Sequence, residues 1–165
     1  MFNNNIFTNK YVYVLCGDVA LRVVLTGGFF DPPHRGHINL LREAKKLGDK
    51  LIVLVHRDEC CVKKKGYCFM PLEDRKAILE SIRYVDEVLV CPESCNLTME
   101  QILESIRPDV YAKGGDRTPE NMPEEEVETC QRLGIAIVYG VGGGKVQSSS
   151  WIIEKSLSRF KGKSK

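Results

Sequence analysis

The sequence has no apolar run long enough to cross a bilayer. Its first apolar segment, Tyr11 to Cys16, falls far short of the roughly 20 residues a spanning helix needs. The N-terminus also lacks the basic start and small-residue cleavage site of a secretory signal, so a cytoplasmic location is expected. A large excess of one charge is absent too. The net charge is +2, and Lys155, Arg159, Lys161, Lys163 and Lys165 place +5 of it in the last eleven residues, leaving about −3 on residues 1–154. A body of that sign excludes a nucleic-acid footprint. The basic end could touch RNA or an acidic lipid surface, but is read as a solvated terminus. Missing as well is any C-x-x-C pair among the seven cysteines. Cys91 and Cys95 are separated by three residues with no second ligand pair near them, so reduced, partly buried thiols are expected and no metal ligand is assigned.

What is present is the composition of an ordinary globular domain: 165 residues, 43% hydrophobic and 28% charged. Apolar runs rich in Val, Ile and Leu recur at Arg22 to Leu25, Leu51 to Val55, Glu87 to Val90, Val110 to Ala112 and Ile135 to Tyr139. They are continuous rather than alternating, as strands buried on both faces of a parallel sheet require. Helical punctuation fills the intervals. His37 to Leu47 places Ile38, Leu41, Ala44 and Leu47 on one stripe and stops at Gly48, and Leu72 to Val85 does the same with Ile78, Leu79 and Ile82. Thr98 and Gln101 form a capping box ahead of a helix that Pro108 stops. Pro123 followed by three glutamates starts another that Gly134 closes. This alternation predicts an α/β fold with a doubly wound, five-stranded parallel sheet and helices on both faces. Ligands in such sheets lie at the C-terminal ends of the strands.

The segment after the first strand is Thr26-Gly27-Gly28-Phe29-Phe30-Asp31-Pro32-Pro33-His34-Arg35-Gly36-His37. Gly27 and Gly28 allow backbone amides to approach a phosphate, and the following helix directs its unbonded N–H groups at an anion. His34 and His37 can point to one side with Gly36 leaving room between them. Two imidazole donors on one oxygen stabilise the charge that builds when phosphorus becomes five-coordinate. After the second strand, Lys63-Lys64-Lys65-Gly66 reads as a mobile cationic loop. After the fourth comes Lys113-Gly114-Gly115-Asp116, whose amides and carboxylate suit nucleotide, Mg²⁺ or hydroxyl contacts. After the fifth, Gln147-Ser148-Ser149-Ser150 opens a helix and offers hydroxyls and amides to an anion.

These segments resemble the H-x-G-H nucleotidyltransferase superfamily, which has a Rossmann-like fold, over about Arg22 to Ile153. The resemblance implies transfer of an NMP unit from an NTP to a phosphorylated small molecule with release of pyrophosphate. It assigns His34, His37 and one of Lys65 and Lys64 to catalysis. Nucleotide binding falls to Gly27, Gly28, Phe29, Phe30, Gly36, Lys113, Gly114, Asp116 and Gln147 to Ser150, and substrate contacts to Asp31 and Arg75. ATP with Mg²⁺ is the expected co-substrate, with no nucleic-acid partner and with a homodimer admitted. Residues 21–156 form the expected catalytic domain, with 1–20 as an N-terminal extension and 157–165 as a basic tail expected to be disordered.

The acceptor is read less directly. Gly27 to His34 looks most like the nicotinamide mononucleotide enzymes, Ile78 to Val88 like the glycerol-phosphate cytidylyltransferases, and Lys113 to Asp116 like the heptose-phosphate adenylyltransferases. Adenylyl transfer to a heptose-like sugar phosphate is therefore expected, with cytidylyl transfer to an alcohol phosphate, or synthesis of FAD or NAD, as alternatives. A non-catalytic nucleotide sensor would need the pocket but not both histidines.

Overall fold

The computed structural model describes residues 20–92, 98–115 and 117–161. Strands β1 (Val23–Gly28), β2 (Lys50–Val55), β3 (Glu87–Val90), β4 (Val110–Gly114) and β5 (Ala136–Val141) form one parallel sheet in the order β3-β2-β1-β4-β5. Six helices connect and follow them: α1 (Arg35–Lys45), α2 (Asp58–Lys65), α3 (Leu72–Glu80), α4 (Met99–Ile106), α5 (Glu124–Leu133) and α6 (Ser149–Lys161).

Adjacent strand residues feed opposite faces, which explains the continuous apolar runs. Val24, Leu51 and Val53 pack with Leu41 and Ala44 of α1 and Leu79 of α3. Leu25, Ile52 and Leu54 pack on the other side with Ile102 and Leu103 of α4 and Cys130 of α5. Aspartates fix where strands begin: the Val23 N–H donates to Asp109 Oδ2 at 2.7 Å and the Leu51 N–H to Asp86 Oδ2 at 2.6 Å. The order of strands reverses between β1 and β4, and a crevice opens at the C-terminal ends of these two neighbours, as such switch points require.

All five expected strands form, and the Thr98/Gln101 capping box and the left-handed Gly134 cap are in place. Three segments differ from expectation. The lysines at 63–65 are the last turn of α2 rather than a loop, ended by Gly66 at φ +83°. Asp58 and Glu59 at the positive end of the helix dipole and the lysines at its negative end favour this helix. It escaped notice because α2 buries only Cys61 and so has no apolar stripe. Helix α3 stops at Glu80, where the Ser81 hydroxyl donates to the Ile78 carbonyl, rather than continuing to Val85. Helix α6 runs on to Lys161, into the segment read as a disordered tail. Of the expected N-terminal extension, residues 1–19 lie outside the described residues.

Candidate active site

Helix α1 begins with an unusual cap. His34 is the N-cap residue, with extended backbone, and its Nδ1 accepts the Gly36 N–H at 3.1 Å. His37 returns the contact, its Nδ1 accepting the His34 N–H at 3.2 Å. The two imidazoles thus do what Ser and Glu do in an ordinary capping box. A ring whose Nδ1 accepts carries its proton on Nε2, so each neutral histidine keeps an Nε2–H donor. The rings stack at 3.8 Å between centroids and 21° between planes, and both line the crevice.

Burial, then the adjacent His34 ring and Lys65, push the His37 imidazole down to about 3. Burial also lowers His34, against its own backbone hydrogen bond and with Lys145 and Lys65 acting in the same direction. His56, beside Phe29 in the crevice, is lowered by burial and by Arg75 and Lys113. All three are neutral near pH 7. Below pH 6.5 the unfolded chain therefore takes up protons that the folded site refuses, His37 doing so until about pH 3. Stability is complete above 6.5 and is lost as pH falls through that window, at up to about 1.4 kcal/mol per pH unit for each such histidine. Urea unfolding at pH 7, 6 and 5 should show this decline, and His37→Asn should flatten it. Equal slopes in the two proteins would contradict the buried neutral ring.

The crevice has a volume of about 490 Å³. It is lined by Gly27, Gly28, Phe29, Phe30, His34, Gly36 and His37 and by Lys113, Gly114 and Gln147 to Ser150. Phe30 is held at φ +51°, a conformation that costs about 1–3 kcal/mol for a non-glycine residue, and its buried ring lies against His37 at 4.8 Å. The first turn of α6 meets the segment that leads into α1 through Ser149 Oγ, which donates to the Pro32 carbonyl at 2.9 Å. Two helix N-termini therefore face one space. Glycines make the approach possible: a Cβ on Gly142 would lie 2.6 Å from the Leu40 nitrogen, and one on Gly115 only 1.9 Å from the Gly143 oxygen.

Of the two candidate lysines, Lys65 is at the crevice, its Nζ 3.4 Å from the Asp31 carbonyl and 5.2 Å from the centre of the Phe29 ring. Lys64 is exposed and lines no part of it. Two expected substrate contacts are instead internal supports. Asp31 is fully buried and its carboxylate accepts the Phe69 and Met70 N–H groups, at 2.7 Å for the latter. Arg75 is fully buried as well. Its guanidinium donates to the carbonyls of Met70 (2.9 Å), Phe29 (2.7 Å) and His56 (2.7 Å) and to Asp58 Oδ1 (2.5 Å). Both tie the loops after β1 and β2 to the start of α3, behind the crevice. Asp116 lies outside the described residues.

Sequence reasoning missed His56, Tyr111 and Glu126. His56 directly follows β2 and was findable by the strand-end rule. Tyr111 and Glu126 were not, because a tyrosine within a strand and one glutamate of three carry no signal. Here they form a buried group with Lys113, whose Nζ donates to the Tyr111 oxygen at 2.8 Å and lies 3.4 Å from Glu126 Oε2. Burial lowers Lys113 despite Glu126.

A cytidylyltransferase-like family model matches residues 25–155. An FAD synthase of Pyrococcus abyssi is 44% identical over 104 residues, covering 62% of this chain and 68% of that protein. A bifunctional protein HldE of Streptomyces coelicolor is 42% identical over 104 residues, but the chain spans only 22% of that protein. Among solved structures, a lipopolysaccharide core biosynthesis protein from Thermoplasma volcanium superposes with a TM-score of 0.61 at 29% identity, covering 73% of this chain and 95% of that one. Among the described residues, no helix is long and apolar enough to cross a membrane. The chain is a nucleotidyltransferase of the cytidylyltransferase-like family.

Proposed function

We propose that the chain transfers AMP from MgATP to the phosphate of flavin mononucleotide, releasing pyrophosphate. The observation that carries nucleotidyl transfer is the stacked His34/His37 pair, with its two Nε2–H donors at a helix N-terminus in the crevice. The acceptor phosphate is anionic at neutral pH, so its oxygen attacks the α-phosphorus in line without a protein nucleophile. The new bond joins acceptor oxygen to α-phosphorus, and the bond to the β-phosphate oxygen breaks. His34 and His37 hold the equatorial charge, Lys65 and the α6 N-terminus the departing pyrophosphate, and catalysis is positioning and charge neutralisation. Mg²⁺ arrives on the triphosphate as part of the substrate. Glu126 is the one carboxylate among the described lining residues, and it is engaged with Lys113 and Tyr111.

The choice of flavin rests on the FAD synthase relative, of which the chain covers more than two thirds. A heptose-like sugar phosphate is the second reading, favoured by the similarity to HldE and to the lipopolysaccharide core biosynthesis protein. Pyrophosphate release from ATP or CTP with FMN, a heptose phosphate or glycerol phosphate tests both. ATP with FMN should be fastest. Turnover with the sugar phosphate alone would select the second reading, and CTP binding at least tenfold tighter than ATP, about 1.4 kcal/mol, would overturn the nucleotide.

A further inference from the structure

Beside the crevice, the fold assembles a sulfur-and-imidazole cluster that the transfer reaction does not use. His56 follows β2, Cys60 lies in the first turn of α2, and Cys91 follows β3. The parallel pairing of β2 with β3 brings these strand ends together. One ligand atom from each residue lies within 4.8 Å of both others, and the two sulfurs are 3.6 Å apart. With bonds of about 2.3 Å to sulfur and about 2.0 Å to nitrogen, a tetrahedral zinc ion separates two thiolate ligands by about 3.8 Å and a thiolate from an imidazole nitrogen by about 3.5 Å. The two sulfurs already have nearly that spacing, and the imidazole lies close enough to complete it by a small side-chain adjustment.

Its surroundings favour the ion as well. The Arg57 N–H donates to Cys91 Sγ at 3.2 Å and the Arg57 Nε to the Cys91 carbonyl at 2.8 Å, the kind of outer contacts that orient a metal-bound thiolate. Cys91 is buried and His56 is half-buried. We infer that the reduced protein binds one zinc ion through His56 Nδ1 or Nε2, Cys60 Sγ and Cys91 Sγ, with the fourth position left to water. Cys60 is disulfide-bonded in this structure, contrary to the expectation of reduced thiols, while Cys61, Cys68, Cys91 and Cys130 are free. Sequence spacing could not show which sulfurs the fold joins. Loading thus requires two electrons from a thiol or phosphine reductant to open the disulfide, after which each ligand thiol loses its proton to solvent as the Zn–S bond forms. A second cluster, Asp31 with Cys61 and Cys68, makes a poorer site because the Asp31 carboxylate is occupied by backbone amides.

The test is metal content and cobalt spectroscopy on the intact chain, reduced with a phosphine and then desalted. About one Zn²⁺ per chain should be retained. Co²⁺ in its place should show a thiolate charge-transfer band and the visible bands of a tetrahedral site. Cys60→Ser and Cys91→Ser should each weaken binding more than about 100-fold, whereas Cys61→Ser and Cys68→Ser should leave stoichiometry and spectrum unchanged. Retention of less than about a fifth of an equivalent, or zinc held equally by Cys60→Ser and Cys91→Ser, would overturn the site. If those variants do not fold, the wild-type cobalt spectrum decides alone, since absence of the thiolate band contradicts the assignment and its presence with one equivalent supports it.

Discussion

His37→Asn is expected to lower kcat by about 10²- to 10³-fold, or roughly 3–4 kcal/mol, while leaving ATP affinity nearly unchanged. The substitution separates the two nitrogens of one ring. Asparagine places its oxygen about where Nδ1 lies, so the bond from the His34 N–H and the cap of α1 survive. What disappears is Nε2–H, whose partner is charge that exists mainly in the transition state. Glutamine reaches further and returns a donor near Nε2, so His37→Gln should recover part of the lost rate even though it surrenders the cap. A purely structural role for His37 predicts the reverse order, with Asn nearly wild type and Gln impaired through stability. His37→Asn turning over at more than about a third of the wild-type rate, folded and binding ATP, would make the residue a helix cap alone.

Arg75→Met should cost about 3–5 kcal/mol of stability, a large part of the roughly 5–15 kcal/mol that holds a domain of this size together. Methionine keeps the apolar stem of arginine but stops short of the guanidinium, leaving the carbonyls of Phe29, His56 and Met70 without the buried donor they now share. Each orphaned acceptor costs about 1–3 kcal/mol, and compensation by water is limited because the side chain is fully buried. Arg75→Lys should recover only part, since one ammonium cannot reproduce the forked pattern of Nε, Nη1 and Nη2 contacts. Denaturant unfolding measures the loss. A change below about 1 kcal/mol combined with a large loss of ATP affinity would return Arg75 to the ligand-contacting role that the sequence resemblance gave it.

Arg75 and Asp31 show where reading from sequence stops. Each sits in a segment that looks like a site, and an arginine or aspartate there is ordinarily solvated unless something binds it. The sequence does not disclose that Asp31 faces the Phe69 and Met70 amides, or that Arg75 points back under β1 and β2, because those partners are chosen by tertiary packing. The strands were legible because burial on both faces leaves a continuous apolar run. Gly27 to His37 was legible because close approach, an anion-facing helix start and two donors demand particular residue types in sequence. Helix α2 was not, because it is held by dipole-matched charges and one buried cysteine rather than by an apolar stripe. His34 and His37 were read as donors, and the structure adds that they are also caps. The two roles reinforce each other, since the capping bond at Nδ1 is what commits the proton to Nε2.

The most direct measurement follows label from ATP into product. With ATP radiolabelled at the α-phosphorus, Mg²⁺ and FMN, label should enter a new dinucleotide of the mass of FAD, and with ATP labelled at the γ-phosphorus all released label should be pyrophosphate. Release of γ-labelled orthophosphate, or α-label remaining in AMP or ADP with no acceptor adduct from flavin or sugar phosphate, would contradict nucleotidyl transfer at this site.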